Sequence, residues 1–249
     1  MNKIVKRTLI GSGILILLIG IFFVGYMLKA KSEIKKMVTI ETGELAPNVF
    51  AIKDSFVNMF LIKDSLGYIA IDAGNDIDVV SEELKKLNIN PEEILAVFLT
   101  HTDGDHVASL PLFKNADVII SQQEEDMING KKQRFLLWGN SIGGREYRKM
   151  EDGQSLRFGS TSVKGILVPG HSPGSMCYQV NEIYLFTGDV MSLEAGKMAA
   201  FSSFFNMNTK MALQSMKTLT KIPGVKYIFT AHNGYSDDYQ KAVNDWSYH

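Results

Sequence analysis

The sequence predicts an α/β protein in which strands are sandwiched between outer helices, preceded by one N-terminal transmembrane helix. Three observations predict it: an apolar run opens the chain, short β-type runs alternate with helical segments after it, and the composition is that of a globular domain. Of the 249 residues, 45% are hydrophobic and 21% are charged. We therefore divide the chain into an anchor and linker, residues 1–37, and one folded domain, residues 38–249.

The N-terminal segment has the length and composition of a membrane-spanning helix. No charged residue occurs between Thr8 and Leu28, and about 20 apolar residues are needed to cross a bilayer. A cleaved signal peptide is the alternative, but its apolar region usually runs only about 7–15 residues. Leu28-Lys29-Ala30 is also a poor cleavage site. Because a short basic N-terminal tail usually stays in the cytoplasm, we expect a single-pass anchor with the folded domain outside the cytoplasm.

The folded domain begins with strands. A turn signal at residues 64–67 separates two of three β-type runs, which predicts an antiparallel meander. The next segment has helical spacing of its apolar residues, and a continuous apolar run follows that suits a buried strand. In order, these elements are Val49–Lys53, Phe56–Ile62, Tyr68–Asp72, the helix Asp76–Leu87 and the strand Ile94–Leu99.

The second half of the domain also combines strands and helices, but their sequence pattern is less clear. Residues 122–153 are polar and rich in glycine, which predicts a helix followed by a long loop. Elsewhere the periodicities predict the strands Asp117–Ile120, Val163–Val168, Met176–Val180, Ile183–Phe186 and Val225–Thr230, and the helices Thr209–Leu219 and Asp237–Trp246. The Phe- and Met-rich stretch Met198–Met211 either lines an apolar pocket or packs in the core.

Charge and cysteine content exclude several classes of function. The formal net charge of −1 gives no electrostatic footprint for nucleic acid. Cys177 is the single cysteine, so zinc sites that need two or more cysteines are excluded. The sequence does not reveal the oligomeric state.

Histidines and aspartates cluster where predicted strands end. His101 follows the buried strand Ile94–Leu99, and Asp103, Asp105 and His106 come within five residues of it. The remaining candidates each follow a later strand: His171, Asp189 and His232. Imidazole and carboxylate groups suit zinc, iron and manganese, and this number of donors is enough for two ions. A simpler interpretation is that Asp103 or Asp105 caps a helix that starts near His106.

These segments resemble the metallo-β-lactamase superfamily over roughly residues 45–240. The hallmark His-x-His-x-Asp-His loop is matched by residues 101–106, the distal histidine by His171 in residues 169–175, the Gly-Asp pair by Gly188-Asp189, and the final histidine by His232. The segment at residues 71–74 also matches. The resemblance implies a four-layer αβ/βα sandwich with two divalent metal ions, most commonly zinc, at one edge.

The resemblance also implies a role for each ligand. His101, Asp103 and His171 form a first metal site, and Asp105, His106 and His232 form a second. Asp189 bridges the two ions, Asp72 orients a ligand histidine, and Asp105 and Asp189 are the catalytic carboxylates. Asp103 departs from the hallmark, which has histidine there. A carboxylate is a harder donor and adds a negative charge, so it favours iron or manganese, or a single-metal or degenerate site.

The ligand pattern favours hydrolysis of esters, thioesters or lactones over hydrolysis of β-lactams. Superfamily β-lactamases generally lack the bridging aspartate, so the Gly188-Asp189 pair is closer to hydroxyacylglutathione hydrolases and acyl-homoserine lactonases. We therefore expect a small-molecule ester, thioester or lactone substrate. The alternatives are a phosphodiesterase, a membrane-tethered sensor or binding protein that has lost catalysis, and oxidation chemistry at one iron.

Overall fold

The computed structural model of the protein describes residues 3–134, 139–244 and 246. The chain divides into two compact units, Met1–Met37 and Val38–His249. The first unit is the helix α1 (Lys3–Ile34). Its stretch Gly11–Ile34 is long and apolar enough to cross a membrane, a property that a signal sequence shares. Side chains along it, such as Ile16 and Phe22, are exposed.

Two mixed sheets form the second unit. The first sheet has the order β1 to β7: β1 (Gly43–Ala46), β2 (Val49–Asp54), β3 (Val57–Asp64), β4 (Gly67–Ile71), β5 (Ile94–Phe98), β6 (Asp117–Ser121) and β7 (Arg148–Met150). The second sheet has the order β15-β14-β11-β10-β9-β8: β8 (Ser155–Phe158), β9 (Thr161–Leu167), β10 (Met176–Val180), β11 (Tyr184–Phe186), β14 (Tyr227–Phe229) and β15 (Tyr235–Ser236). A separate hairpin pairs β12 (Met191–Glu194) with β13 (Lys197–Ala200).

Helices cover the outer face of each sheet. They are α2 (Ile77–Lys86), α3 (Gly104–Val107), α4 (Glu125–Ile128), α5 (Thr209–Leu219) and α6 (Tyr239–Asn244). Leu84 of α2 packs with Leu61 of the first sheet, whereas Met216 of α5 packs with Leu185 of the second. A third cluster, containing Phe60 of β3, fills the space between the two sheets. Three apolar clusters between four layers confirm the predicted αβ/βα sandwich.

The middle of strand β3, Met59 to Ile62, is apolar without interruption. Successive side chains of a strand point to opposite faces. Met59 and Leu61 therefore join the cluster beneath α2, while Phe60 and Ile62 face the other sheet. Both faces of this stretch are covered, which favours apolar side chains on each face.

The structure corrects several predicted elements. The helix expected in residues 122–153 is the single turn α4, and β7 follows it. The stretch after residue 190 forms the hairpin β12–β13, which the sequence did not predict. The helix predicted to start at residue 76 starts one residue later because the side chain of Asp76 caps it, accepting from the backbone amides of Asp78 and Val79. The last helix is shorter than predicted, and residue 245 lies outside the described residues.

Candidate metal centre

Strand direction brings the candidate ligands to one edge of the two sheets. Strands β4 and β5 are parallel, as are β11 and β14. The carboxyl ends of parallel strands lie at the same edge of a sheet. Within four residues of such an end, β4 is followed by Asp72, β5 by His101, β9 by His171, β11 by Asp189 and β14 by His232.

The first cluster consists of His101, Asp103 and His171. The Nε2 atoms of the two histidines are 3.1 Å apart, and Asp103 Oδ2 lies 3.5 Å from that of His101 and 3.2 Å from that of His171. Both histidines are buried. Two imidazole nitrogens and one carboxylate oxygen at this spacing are a three-donor set suited to zinc, iron or manganese.

The second cluster consists of Asp105, His106 and His232. Asp105 Oδ2 lies 3.7 Å from Nε2 of His106 and 3.5 Å from Nε2 of His232. Both histidines are buried, whereas the side chain of Asp105 is 22% exposed. This cluster therefore has the same donor types as the first, and its carboxylate is exposed to a similar extent as the 20% of Asp103.

Asp189 lies between the two clusters. Its Oδ1 atom is 3.0 Å from Nε2 of His232 and 3.3 Å from Nε2 of His106. Its Oδ2 atom is 3.6 Å from Nε2 of His171 and 3.9 Å from Nε2 of His101. One oxygen of the carboxylate thus faces each cluster, as a bridging ligand requires.

Among the described residues, several buried polar atoms at this centre have no hydrogen bond. They include Nε2 of His106, Nε2 of His232 and Oδ1 of Asp189, which face the same space and whose mutual contacts at 3.0 and 3.3 Å lack hydrogen-bond geometry. Buried polar atoms are nearly always satisfied, so a convergent set without partners indicates a missing ligand. A divalent cation fits this donor set.

Hydrogen bonds at the Nδ1 atoms fix the orientation of three histidine rings. His106 Nδ1 is 2.9 Å from Asp72 Oδ2, His232 Nδ1 donates to the backbone oxygen of Phe56 at 2.6 Å, and His101 Nδ1 is 3.1 Å from Thr100 Oγ1. Each bond leaves Nε2 directed at the centre, which is how outer groups usually position histidine ligands.

Thr100 contacts both Asp72, which orients His106, and Gly188 of the Gly-Asp pair. Its amide and hydroxyl both donate to Asp72, at 2.7 and 2.9 Å. Gly188 approaches from the other sheet with φ of 53°, and a Cβ atom there would be 2.4 Å from Thr100 Oγ1. Glycine is therefore required before Asp189 for a steric as well as a conformational reason.

Charges within the centre keep the carboxylate of Asp189 ionised. Burial opposes ionisation of Asp189, yet His232, His106 and His171 hold its pKa well below the usual value. Burial likewise disfavours the charged form of His106, but Asp72, Asp189 and Asp105 raise its pKa well above the usual value. Burial, Arg134 and His101 lower the pKa of His171 to about 3. A cation binding here meets the ionised carboxylate of Asp189 and the neutral imidazole of His171, and displaces a proton from His106.

With this geometry in place, sequence comparison identifies the family. The profile of the metallo-beta-lactamase superfamily matches residues 52–232, more than half of the chain. The chain belongs to the metallo-β-lactamase superfamily. Hence the resemblance in the ligand motif extends to the domain as a whole.

Relatives within the superfamily include named hydrolases. A probable polyketide biosynthesis zinc-dependent hydrolase, BaeB, of Bacillus velezensis is 30% identical over 129 residues, which are 51% of this chain and 50% of that protein. A hydroxyacylglutathione hydrolase of Gloeobacter violaceus is 26% identical over 185 residues, 73% of this chain and 65% of that protein. The chain thus spans about half to two thirds of the length of the curated relatives it matches.

Solved structures share the superfamily fold. A B3 metallo-β-lactamase with an active-site glutamic acid has a TM-score of 0.66 at 17% identity and covers 86% of this chain and 90% of its own. The Rm3 metallo-β-lactamase has a TM-score of 0.62 at 17% identity, covering 78% and 79%. At these identities the likeness concerns the fold.

One buried carboxylate beside the centre escaped the sequence analysis. Glu124 is 1% exposed and accepts hydrogen bonds from the amide and hydroxyl of Thr102, at 2.9 and 2.8 Å, and from the hydroxyl of Ser172 at 2.6 Å. It therefore joins the loop of His101 to the loop of His171. The backbone of Glu124 is so close to Gly174 that a Cβ there would be 2.2 Å from the Glu124 nitrogen. Nothing in the polar sequence around Glu124 marks it as buried.

The Phe- and Met-rich stretch Met198–Met211 contributes both to the core and to the surroundings of the centre, the two roles that the sequence left open. Met198 packs in the cluster beneath α5. Phe201 instead stands against the centre, with its ring centroid 5.7 Å from that of His232 and 5.6 Å from that of His171. Phe56 stacks on His232 as well, at 5.9 Å. Apolar rings therefore shield the histidines on the side of this stretch.

We expect Asp72→Asn to lower metal affinity by about 10–100-fold, the usual cost of losing a group that orients a ligand histidine. Asparagine tolerates the positive φ of 62° at this position, so the fold should persist. The measurement is competition for Zn²⁺ with a chromophoric chelator. Asp78→Asn, an exposed change on α2, is the control. Equal zinc affinity in both variants would show that Asp72 does not position His106.

Proposed function

We propose that the protein is a divalent-metal-dependent hydrolase that cleaves a thioester, ester or lactone. The observation that supports this most directly is Asp189, whose two carboxylate oxygens face two separate three-donor clusters. His101, Asp103 and His171 would hold one ion, and Asp105, His106 and His232 the other. Zinc is the proposed metal because two of the relatives are named as zinc-dependent hydrolases.

The residues at the proposed centre have different roles in hydrolysis. Divalent ions bound here would activate water and polarise a carbonyl oxygen. Asp189 sets the spacing of the clusters, and Asp72 holds the ring of His106. Asp105 is the catalytic carboxylate nearest to solvent, placed to accept a proton from the attacking water and return it to the leaving group. Phe201 excludes bulk water from the histidine side.

The bridging position supports the proposed substrate class. Asp189 follows Gly188 where one class of superfamily β-lactamases has a cysteine ligand. Cys177 does not replace that ligand, because it is buried in β10, its sulfur contacts the backbone oxygen of Thr187, and burial raises the pKa of its thiol. Among the relatives, an atrochrysone carboxyl ACP thioesterase of Paecilomyces divaricatus, 32% identical over 128 residues, is named for thioester cleavage. We therefore place thioesters first.

A substrate panel with metal analysis tests the proposal. The full chain, purified in detergent, is assayed for metal by elemental analysis and for turnover of acyl thioesters, lactones, carboxylic esters, phosphodiesters and a β-lactam. We expect bound zinc and turnover of a thioester or lactone that stops on chelation. A protein that binds no metal and turns over no carbonyl substrate would exclude this function. Phosphodiester turnover alone would indicate a phosphodiesterase, and bound iron would favour oxidation chemistry.

The second candidate is a metal-binding sensor without catalysis. Asp103 favours it, because the hallmark histidine is absent and the carboxylate that replaces it contacts other side chains. Metal binding without turnover of any class in the panel would support the sensor.

We infer that α1 tethers the hydrolase to a membrane as a single pass, with the catalytic domain outside the cytoplasm. The length and apolar composition of Gly11–Ile34 support this. Resistance of the protein to carbonate extraction, an intact N-terminus and protease access from outside the cell are the expected results. A mature chain that lacks residues 1–37 would instead show a signal sequence.

A further inference from the structure

Asp103 is held by other side chains in addition to its contacts with the histidines of the first cluster. Arg134 Nε donates to Oδ1 at 2.8 Å, and its Nη2 atom is 2.6 Å from Oδ2. Asn140 Nδ2 also donates to Oδ1 at 2.9 Å. Oδ1 is therefore fully engaged by the loop after α4, while Oδ2 also faces the histidines of the first cluster. Asp103 is at the N-cap of α3 but makes no capping bond, because its side chain is used here instead.

Arg134 is itself held in place. Its Nη1 atom donates to the backbone oxygen of Phe205. Two residues further along, the amide of Met207 donates to the backbone oxygen of His171 at 3.1 Å. Arg134 thus connects Asp103 to the segment that also supports His171. Its side chain is 21% exposed, so the guanidinium is largely removed from solvent.

The charges of this pair matter because of what the superfamily motif has at position 103. An imidazole ligand is neutral, whereas Asp103 adds one negative charge to the first cluster. Arginine stays protonated at all physiological pH values, and its planar fork matches a carboxylate. The Asp103–Arg134 pair therefore has no net charge, like the imidazole that it replaces.

We propose that Arg134 is a positioning residue that, paired with Asp103, replaces the missing histidine of the first cluster. Asp103 supplies Oδ2 as the donor atom, and Arg134 fixes the carboxylate plane and offsets its charge. The proposal rests on the proposed function in one respect, namely that the first cluster binds a divalent ion. It implies that position 103 and position 134 are coupled: Asp103→His alone leaves a guanidinium without its anion beside a dication, so it does not recreate the superfamily ligand set.

A double-mutant cycle tests the coupling. The full-length chain is compared with Asp103→His, Arg134→Met and the double variant, and zinc stoichiometry and affinity are measured by chelator competition. Cobalt spectra report the first-cluster ligands independently of activity. We expect Asp103→His alone to weaken first-cluster affinity on the order of 10-fold or more, within the range for disturbed ligand support. In the Arg134→Met background the same change should cost little and two ions should bind.

The outcomes separate the inference from the proposed function. If Asp103→His has the same effect on zinc affinity in both backgrounds, Arg134 acts independently and the inference is wrong, although the hydrolase proposal stands. If the natural chain binds an ion only at the second cluster, the inference fails while a single-metal hydrolase remains; if it binds no ion and turns over no substrate, both fail. Should Asp103→His not fold, Asp103→Asn provides the same charge change at constant shape, and it must show the same dependence on Arg134. Lys149→Met, which removes an exposed cation paired with Glu125, is the matched control and should change neither affinity.

Discussion

Asp189→Asn is expected to lower kcat/KM by more than about 100-fold and to leave the protein with less than its full metal content. Losing a group that merely orients a ligand costs about 10–100-fold, and Asp189 faces the centre itself. Asparagine keeps the shape but offers one oxygen, so one cluster would face an amide nitrogen instead of a carboxylate oxygen. The measurements are steady-state kinetics on the substrate found in the panel, together with elemental analysis.

Asp64→Asn is the matched control for this prediction. Asp64 is 8% exposed, close to the 6% of Asp189, but it accepts its hydrogen bonds from residues such as Ser160 and Thr161, away from the centre. Its substitution should lower the free energy of unfolding while leaving metal content unchanged. If Asp189→Asn retains both ions and full activity, Asp189 is not a bridging ligand and the two-metal assignment must be abandoned.

The convergence of the candidate ligands could be predicted from the sequence because strand order determines where they meet. His101, Asp103, Asp105 and His106 are adjacent along the chain, so their proximity follows from one loop. His171, Asp189 and His232 are far apart in sequence, yet each follows a strand with the same direction. Parallel strands end at one edge, so positions just after them converge. Apolar periodicity locates such strands even when their ends shift by a residue or two.

The supporting residues could not be predicted, for a physical reason. Arg134 and Glu124 lie in a segment whose polar composition has no period of 2 or 3.6, so nothing indicates which side chains turn inward. A carboxylate buried by hydrogen bonds to Thr102 and Ser172 has the same sequence signature as one that is solvated. Short strands such as β12 and β13 could not be predicted either, because four residues are too few to establish an alternation of apolar and polar side chains. The convergence of the candidate ligands could thus be predicted from the sequence, but the residues that hold their loops could not.

Glu124 should therefore be the most sensitive position outside the ligands, and we expect Glu124→Ala to lower the free energy of unfolding by about 2–5 kcal/mol. The change leaves buried donors without an acceptor, at about 1–3 kcal/mol each. The hydroxyl of Ser172 can turn to Ser175 Oγ, 2.9 Å away, so the lower figure allows for partial rescue. The backbone amide of Thr102 has no such freedom. Urea unfolding of the metal-free protein measures the difference.

The neighbouring residue provides a close control. Glu125 is next in sequence, but it accepts from Tyr147 and Lys149 at the surface, so Glu125→Ala should change the free energy of unfolding by no more than about 0.5 kcal/mol. Glu124→Gln retains one acceptor oxygen and should fall between the two. Because Thr102 separates His101 from Asp103 and Ser172 follows His171, Glu124→Ala should also weaken the first cluster for zinc more than the second. Equal stability and equal zinc affinity of the two alanine variants would mean that Glu124 does not hold the two ligand loops together.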